Sequence, residues 1–436
     1  MYDLSTPLRS RGRTLRAALP LLVIVALAAC ASPAPSPSPT PVASPSPTPT
    51  AVPSASPAPS EDASALYESI EEQVIAIRGL QPKRDVVPKV LDEAELRSMM
   101  TEFFDQDTPP EYVAANERLY KALGLMPQDG DLRALTLDLL SAGVLGFYRN
   151  DEDTLYVVSR SGRIGGNEKM TYAHEFDHAL QDQTWPVFSE QEDVLDQSDR
   201  MIARTAATEG DASLLMTQWA INNLTPPEIQ DLIDAVSDPE QMAALAKIPP
   251  IMRETLEFPY STGLLFVQGI FGEGDWAAVD GLYDRMPEST EQIIHPEKYA
   301  ANEAPIDVDL PDDLATRLGA GWSVPLEDSF GELQTAIWLR ESGVSRTDAD
   351  DAAAGWGGDR LAVLAGPDDT WAVVLKTEWD TAADAAAFET AAETAIENAG
   401  GQARILPGEG GTTRWVVVAG DDATLGKVAN ALGLAG

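Results

Sequence analysis

Ala31 to Ser60 hold 11 of the chain's 32 prolines and no charged residue, so this segment cannot build a core. Proline at this density favours an extended polyproline II course of about 3.1 Å per residue, up to ~90 Å over the segment. Whatever folds must lie to one side of it. The short stretch before it is no domain, whereas residues 61–436 are long enough for more than one, and a chain that is 44% hydrophobic can fill their cores.

The stretch before the proline segment reads as an export signal. "LRSRGRTLR" is basic, and the apolar run from Ala17 to Ala29 is shorter than the roughly 20 residues that a membrane span needs and carries Pro20 near its start. Leu27-Ala28-Ala29-Cys30 resembles the lipobox of bacterial lipoproteins, which implies a signal peptide over 1–29 and lipid attached to Cys30. The proline-rich linker, 30–60, would then hold an extracytoplasmic body away from a membrane anchor. Cys30 is the only cysteine, which excludes a disulfide within the monomer. The net charge is −40, and because Arg9, Arg11, Arg13 and Arg16 stand against Asp3 in the signal, the rest of the chain carries about −43. Such a surface repels nucleic acid and anionic lipid head groups, leaving the lipid anchor as the expected membrane contact.

From Glu61 the apolar spacing becomes helical. It predicts helices ending at Gly79 and then over Asp92–Phe104, Glu111–Leu123 and Leu132–Ala142. Two β-prone runs, Val144–Tyr148 and Leu155–Ser159, read as a hairpin, followed by a helix over Glu168–Gln183 and further helices over Val194–Ile221, Pro227–Val236, Ser261–Phe271 and Trp276–Met286. From Gly355 the order becomes ββαββα, a compact unit over 355–436. The expected fold is α+β: a mainly helical body over 61–354 with a small sheet, and a small C-terminal domain. The helices between Glu61 and Ala142 are also candidates for an inhibitory cover.

The chain has three histidines, and two of them occur in "HEFDH", His174-Glu175-Phe176-Asp177-His178. Residues four apart share a helix face, so the two imidazoles can hold one Zn²⁺ while Glu175 reaches water beside it as a general base. A hydrolytic zinc site needs a third ligand. Glu209, in "TEGDA", follows Ala203, Ala206 and Ala207, small residues that allow a close helix approach. Asp211 is the fallback, either as ligand or as acceptor for a histidine N–H. His295, in "STEQIIHPEKY", is a candidate donor to a developing oxyanion or a third histidine ligand, against the simpler reading of a helix-end residue. Tyr260 is a second candidate donor, against a buried core tyrosine.

The pattern His174-Glu175-x-x-His178 followed by Glu209-Gly210-x-Ala212 resembles gluzincin metallopeptidases, although the 30 residues between His178 and Glu209 exceed the thermolysin-like spacing. "GFYRNDEDTLYV", "HEFDHALQDQ", "TEGDA", "FPYSTGLLFV", "STEQIIHPEKY" and "GWGGDR" resemble, in order, an uncharacterised group of bacterial and archaeal secreted proteins predicted to be gluzincin-like. The similarity extends from about Ile77 to the C-terminus. The resemblance implies a zincin-like body with zinc on His174, His178 and Glu209, Glu175 as base, and a peptide or protein substrate. By analogy with zincins, Leu155–Ser159, the strand before the zinc helix, would pair with an extended substrate. Two rivals remain: a zinc hydrolase acting on a non-peptide amide, and a surface-binding lipoprotein whose zinc is structural.

Overall fold

The computed structural model describes residues 61–434 apart from 161, 186–195 and 238. The expected signal peptide, Cys30 and the proline-rich linker lie outside the described residues. The chain opens with α1 (Glu61–Arg78), β1 (Val87–Leu91), α2 (Glu93–Asp107), α3 (Pro110–Ala122) and α4 (Leu132–Gly143). The hairpin β2 (Gly146–Arg149) and β3 (Thr154–Val158) leads into two long helices, α5 (Gly166–Thr184) and α6 (Ser198–Asn223). Next come α7 (Pro226–Val236), α8 (Pro239–Leu245) and α9 (Pro250–Phe258), then a π-helical turn, Pro259–Gly263, which runs on into α10 (Leu264–Asp280). Three short helices, α11 (Thr290–Ile294), α12 (Pro296–Ala301) and α13 (Leu314–Leu318), cross to the C-terminal part. That part contains β4 (Ser323–Asp328), α14 (Gly331–Glu341), α15 (Arg346–Ala353), β5 (Trp356–Ala365), β6 (Trp371–Trp379), α16 (Ala382–Ala395), β7 (Gln402–Pro407), β8 (Thr413–Ala419) and α17 (Asp422–Ala431). The protein is α+β, as the sequence predicts.

Helix starts follow local chemistry. Asp92 and Glu95 form a reciprocal capping box at α2, Asp131 caps α4, and Ser289 caps α11. Longer-range contacts decide the sheets. β1, absent from the sequence reading, pairs in parallel with β3, while β2 pairs antiparallel on its other side, giving the order β1-β3-β2. β3 is therefore interior and has no free edge for a substrate, which corrects the expectation for Leu155–Ser159. The free edge of the hairpin belongs to β2.

The second sheet has the order β4-β5-β6-β8-β7 and is antiparallel throughout. β4 draws this unit back to Ser323, earlier than the expected boundary at Gly355. One face of its sheet has a core of its own, in which Leu314, Leu364, Val374, Val417 and Leu425 meet, while the other face shares a core with the helical body. One apolar cluster runs from Leu119 of α3 and Ala206 of α6 through Trp338 of α14 to Val373 of β6 and Phe388 of α16. At the seam, Asp199 in the first turn of α6 accepts from the backbone N–H and hydroxyl of Thr290. A Cβ on Gly331, which has φ +75°, would lie 1.8 Å from the Asp199 carboxylate.

The helix crossing that positions the site is between α6 and the π turn. A Cβ on Gly210 would stand 2.4 Å from the Gly263 carbonyl oxygen, and one on Gly263 would stand 2.4 Å from that of Ala206. Only glycine permits backbones this close. Gly263→Ala is expected to cost about 1–3 kcal/mol through overpacking, despite alanine's better helix propensity. Urea denaturation checks this, and an unchanged midpoint would contradict the crossing.

Candidate metal centre

α5 carries His174 and His178 on one face, fully buried, and α6 brings Glu209 against them. His174 Nε2 and His178 Nε2 are 2.9 Å apart, and Glu209 Oε2 lies 3.0 Å from the first and 3.2 Å from the second. Four ligands placed tetrahedrally at zinc distances of 2.0–2.1 Å would be separated by roughly 3.3 Å, so this triangle is close to one face of such a site. Among the described residues, His174, His178 and Glu209 form a fully buried trio able to hold a metal ion, and the set of two imidazoles and one carboxylate suits zinc.

The surroundings prepare these atoms. Gln181 donates its amide N–H to the carbonyl of Thr208, 3.1 Å away, which turns its Oε1 toward His178 Nδ1 at 2.9 Å. Nδ1 then carries the proton and the Nε2 lone pair faces Glu209. Tyr260, on the π turn, donates its hydroxyl to Glu209 Oε1 at 2.9 Å, leaving Oε2 for the imidazoles. The tyrosine is thus a buried residue that positions the carboxylate. Without a cation, protons take its place. Burial and the neighbouring His178 hold His174 down at about 4. Glu209 overcomes the effect of burial and lifts His178 to about 9, while the imidazoles overcome it at Glu209 and hold that carboxylate at about 2.

Glu175 is also fully buried, next to β2. A Cβ on Gly146 would be 3.3 Å from Glu175 Cγ and 2.4 Å from the Thr171 methyl, so glycine lets the edge strand lie on the helix. Neither Glu175 oxygen has a hydrogen-bond partner of normal geometry. Burial pushes the carboxyl well above the usual range, partly offset by His178 and the Tyr148 backbone. A fully buried carboxylate whose oxygens find nothing better than the poorly aligned Tyr148 backbone points to a ligand on that side.

Sequence reading missed the support behind the trio. Arg78, at the end of α1, is fully buried. Its Nε and Nη2 donate to Asp211 at 3.1 and 3.0 Å, Nη1 donates to Asp280 at 2.6 Å, and Nε lies 3.8 Å from Asp177. The guanidinium sits 4.6 Å from the ring centre of Trp276, and Tyr283 donates to Asp211 at 2.6 Å. Asp211 is therefore committed to Arg78 and Tyr283 and belongs neither to the ligand set nor to a histidine N–H. α1 is equally far from being a removable cover. Nothing local in "IAIRGL" marks Arg78, since its partners are 99 to 202 positions away along the chain.

His295 is not brought to the trio. Its Nε2 lies 2.9 Å from Glu332 Oε1 of α14, and its Nδ1 lies 3.9 Å from Glu297. The reason is the docking of α11 at Asp199, ten residues before Glu209 and so roughly 15 Å away along α6. A second acidic group, Glu291, Glu303 and Asp380, is held by the ammonium of Lys298 at 2.5, 3.0 and 2.7 Å. That cation already does what a metal would do there.

Residues 317–430 match the family described as Domain of unknown function (DUF8575), which covers the C-terminal sheet and its helices and leaves the metal centre outside. No curated protein and no solved structure matches the chain. No helix among the described residues is long and apolar enough to cross a membrane.

Removing Arg78 would leave Asp177 and Asp211 buried without their cation. Arg78→Met is expected to destabilise the fold by about 3–5 kcal/mol and to weaken zinc binding. Denaturation and metal titration measure the two effects, and a variant as stable as wild type would show that the guanidinium is dispensable.

Proposed function

We propose that the protein is a zinc-dependent peptidase, tethered outside the cytoplasm through lipid on Cys30, with His174, His178 and Glu209 as metal ligands and Glu175 as general base. The observation that carries this reading is the pairing of a three-ligand face with a buried, poorly partnered glutamate next to it in sequence. A structural site closed by four protein ligands would have no use for such a base. Zinc held by three protein ligands supplies a Lewis acid for a substrate carbonyl and makes water acidic enough to ionise near neutral pH.

The chain's own residues account for the rest. Glu175, shielded from bulk water, takes the proton of the attacking water and passes it to the departing amine. Tyr260 and Gln181 hold Glu209 and His178 in their liganding orientations. The free edge of β2, which lies over Glu175, offers backbone groups to an extended substrate and takes the role first assigned to Leu155–Ser159. The overall acidity of the chain disfavours nucleic acid as substrate.

The test compares the wild-type protein with Glu175→Gln by elemental analysis and by mass spectrometry of a mixed peptide library. Both proteins are expected to bind zinc, and cleavage is expected to fall by about 10²-fold or more in the variant. If both hold zinc and neither cleaves peptides, a hydrolase of another amide or a binding lipoprotein with structural zinc replaces this reading.

A further inference from the structure

A cavity of about 490 Å³ opens onto Glu209 and Tyr260. One wall is the face of α6 leading to the ligand, with Ile202 and then Thr205, which stands one helical turn before Glu209 and on the same side. The opposite wall comes from α3 and α4, including Tyr112, Thr136 and Leu139, and α9 with the π turn closes the third side. Glu209 is the only Asp, Glu, Lys or Arg among the lining residues. In a chain with 70 acidic residues and a net charge of −40, an almost uncharged recess ending at a metal ligand stands out.

We propose that this cavity is the specificity pocket of the site and takes a large apolar side chain, aromatic or branched aliphatic, from the substrate residue next to the scissile bond. The proposal rests on the peptidase reading for its reaction and on the cavity for its preference. The occupant must reach Glu209, so it belongs to a molecule whose reacting group sits at the metal centre. A charged side chain would lose its hydration there and meet no counter-charge but that of Glu209, which the imidazoles already neutralise. A leucine or phenylalanine side chain would instead leave water for an apolar enclosure, giving discrimination on the order of a hundredfold. The helices between Glu93 and Gly143 thereby gain a role as the selecting wall of the site.

The test uses the full chain with zinc and a set of quenched peptides that differ only at the residue flanking the cut, carrying Phe, Leu, Ala or Asp. Thr205→Phe and Thr136→Phe fill the cavity from opposite walls, so failure of one variant to fold leaves the other. A second arm measures binding of dansyl-phenylalanine amide to Glu175→Gln protein by fluorescence, with no turnover required. Phe and Leu peptides are expected to exceed the Asp peptide by about a hundredfold in kcat/KM, and each filled variant should shift preference toward Ala and weaken dansyl-phenylalanine amide at least about tenfold. Cleavage without apolar preference, or a preference that both fillings leave unmoved, overturns the pocket and leaves the peptidase reading intact. If no peptide is cut, the binding arm decides: dansyl-phenylalanine amide displaced by both fillings supports the pocket while the peptidase reading falls. Absence of binding, or binding that both fillings leave unchanged, overturns the pocket.

Discussion

A single buried guanidinium sets the geometry on which the candidate metal centre depends. Arg78 reaches from the first described helix to Asp177 of α5, Asp211 of α6 and Asp280 of α10, and lies over an indole on its open face. Two of these carboxylates lie within two positions of the trio in sequence. Asp177 precedes His178, and Asp211 follows Glu209 by two positions. Holding both acids against one cation fixes the rotation of each helix about its own axis, so the imidazoles and the glutamate on the adjoining faces are aimed at a common point. Buried ion pairs seldom add stability over apolar packing of the same shape, and their best-attested value is in specifying one arrangement. Here that arrangement is the register between α5 and α6.

The second constraint is the distance between α6 and the π turn. Gly210 and Gly263 leave no side chain between the two backbones at the crossing, and Tyr260 is carried to within hydrogen-bond reach of Glu209. Widening of the turn from α to π geometry at this point is consistent with the frequent placement of such turns at functional sites. The crossing also forms one rim of the apolar recess. Ligand orientation and pocket shape thus depend on the same two glycines.

The parts of the site that are periodic along the chain were readable in advance. His174 and His178 share a helix face by spacing alone, and Glu209 stood out through the small residues before it. Arg78, Gln181 and the role of Tyr260 were not readable, because each acts on a partner brought near only by the tertiary fold. His295 shows the reverse error: its rarity in composition suggested chemistry, but the capped helix before it docks at the wrong end of α6. Among the elements, β1 and β4 are short and contain Pro88 and Pro325, and their pairing comes from distant strands. α14 was missed because residues 331–339 are buried on every side, leaving no amphipathic stripe to detect. The texture of the sequence changes at Gly355, whereas the second sheet already begins at β4 and one of its two faces packs on the helical body.

The reach of Arg78 also bears on the order in which the molecule can assemble. Its contact with Asp280 closes a loop of 202 positions, and the contact with Asp211 closes one of 133. Loop closures of this length are slow to form and pay back only when made. Arg78 can dock only once α5 and α6, which carry Asp177 and Asp211, have followed α1 along the chain. The first described helix is thus tied to the two helices that carry His174, His178 and Glu209 by contacts that only the assembled fold can close.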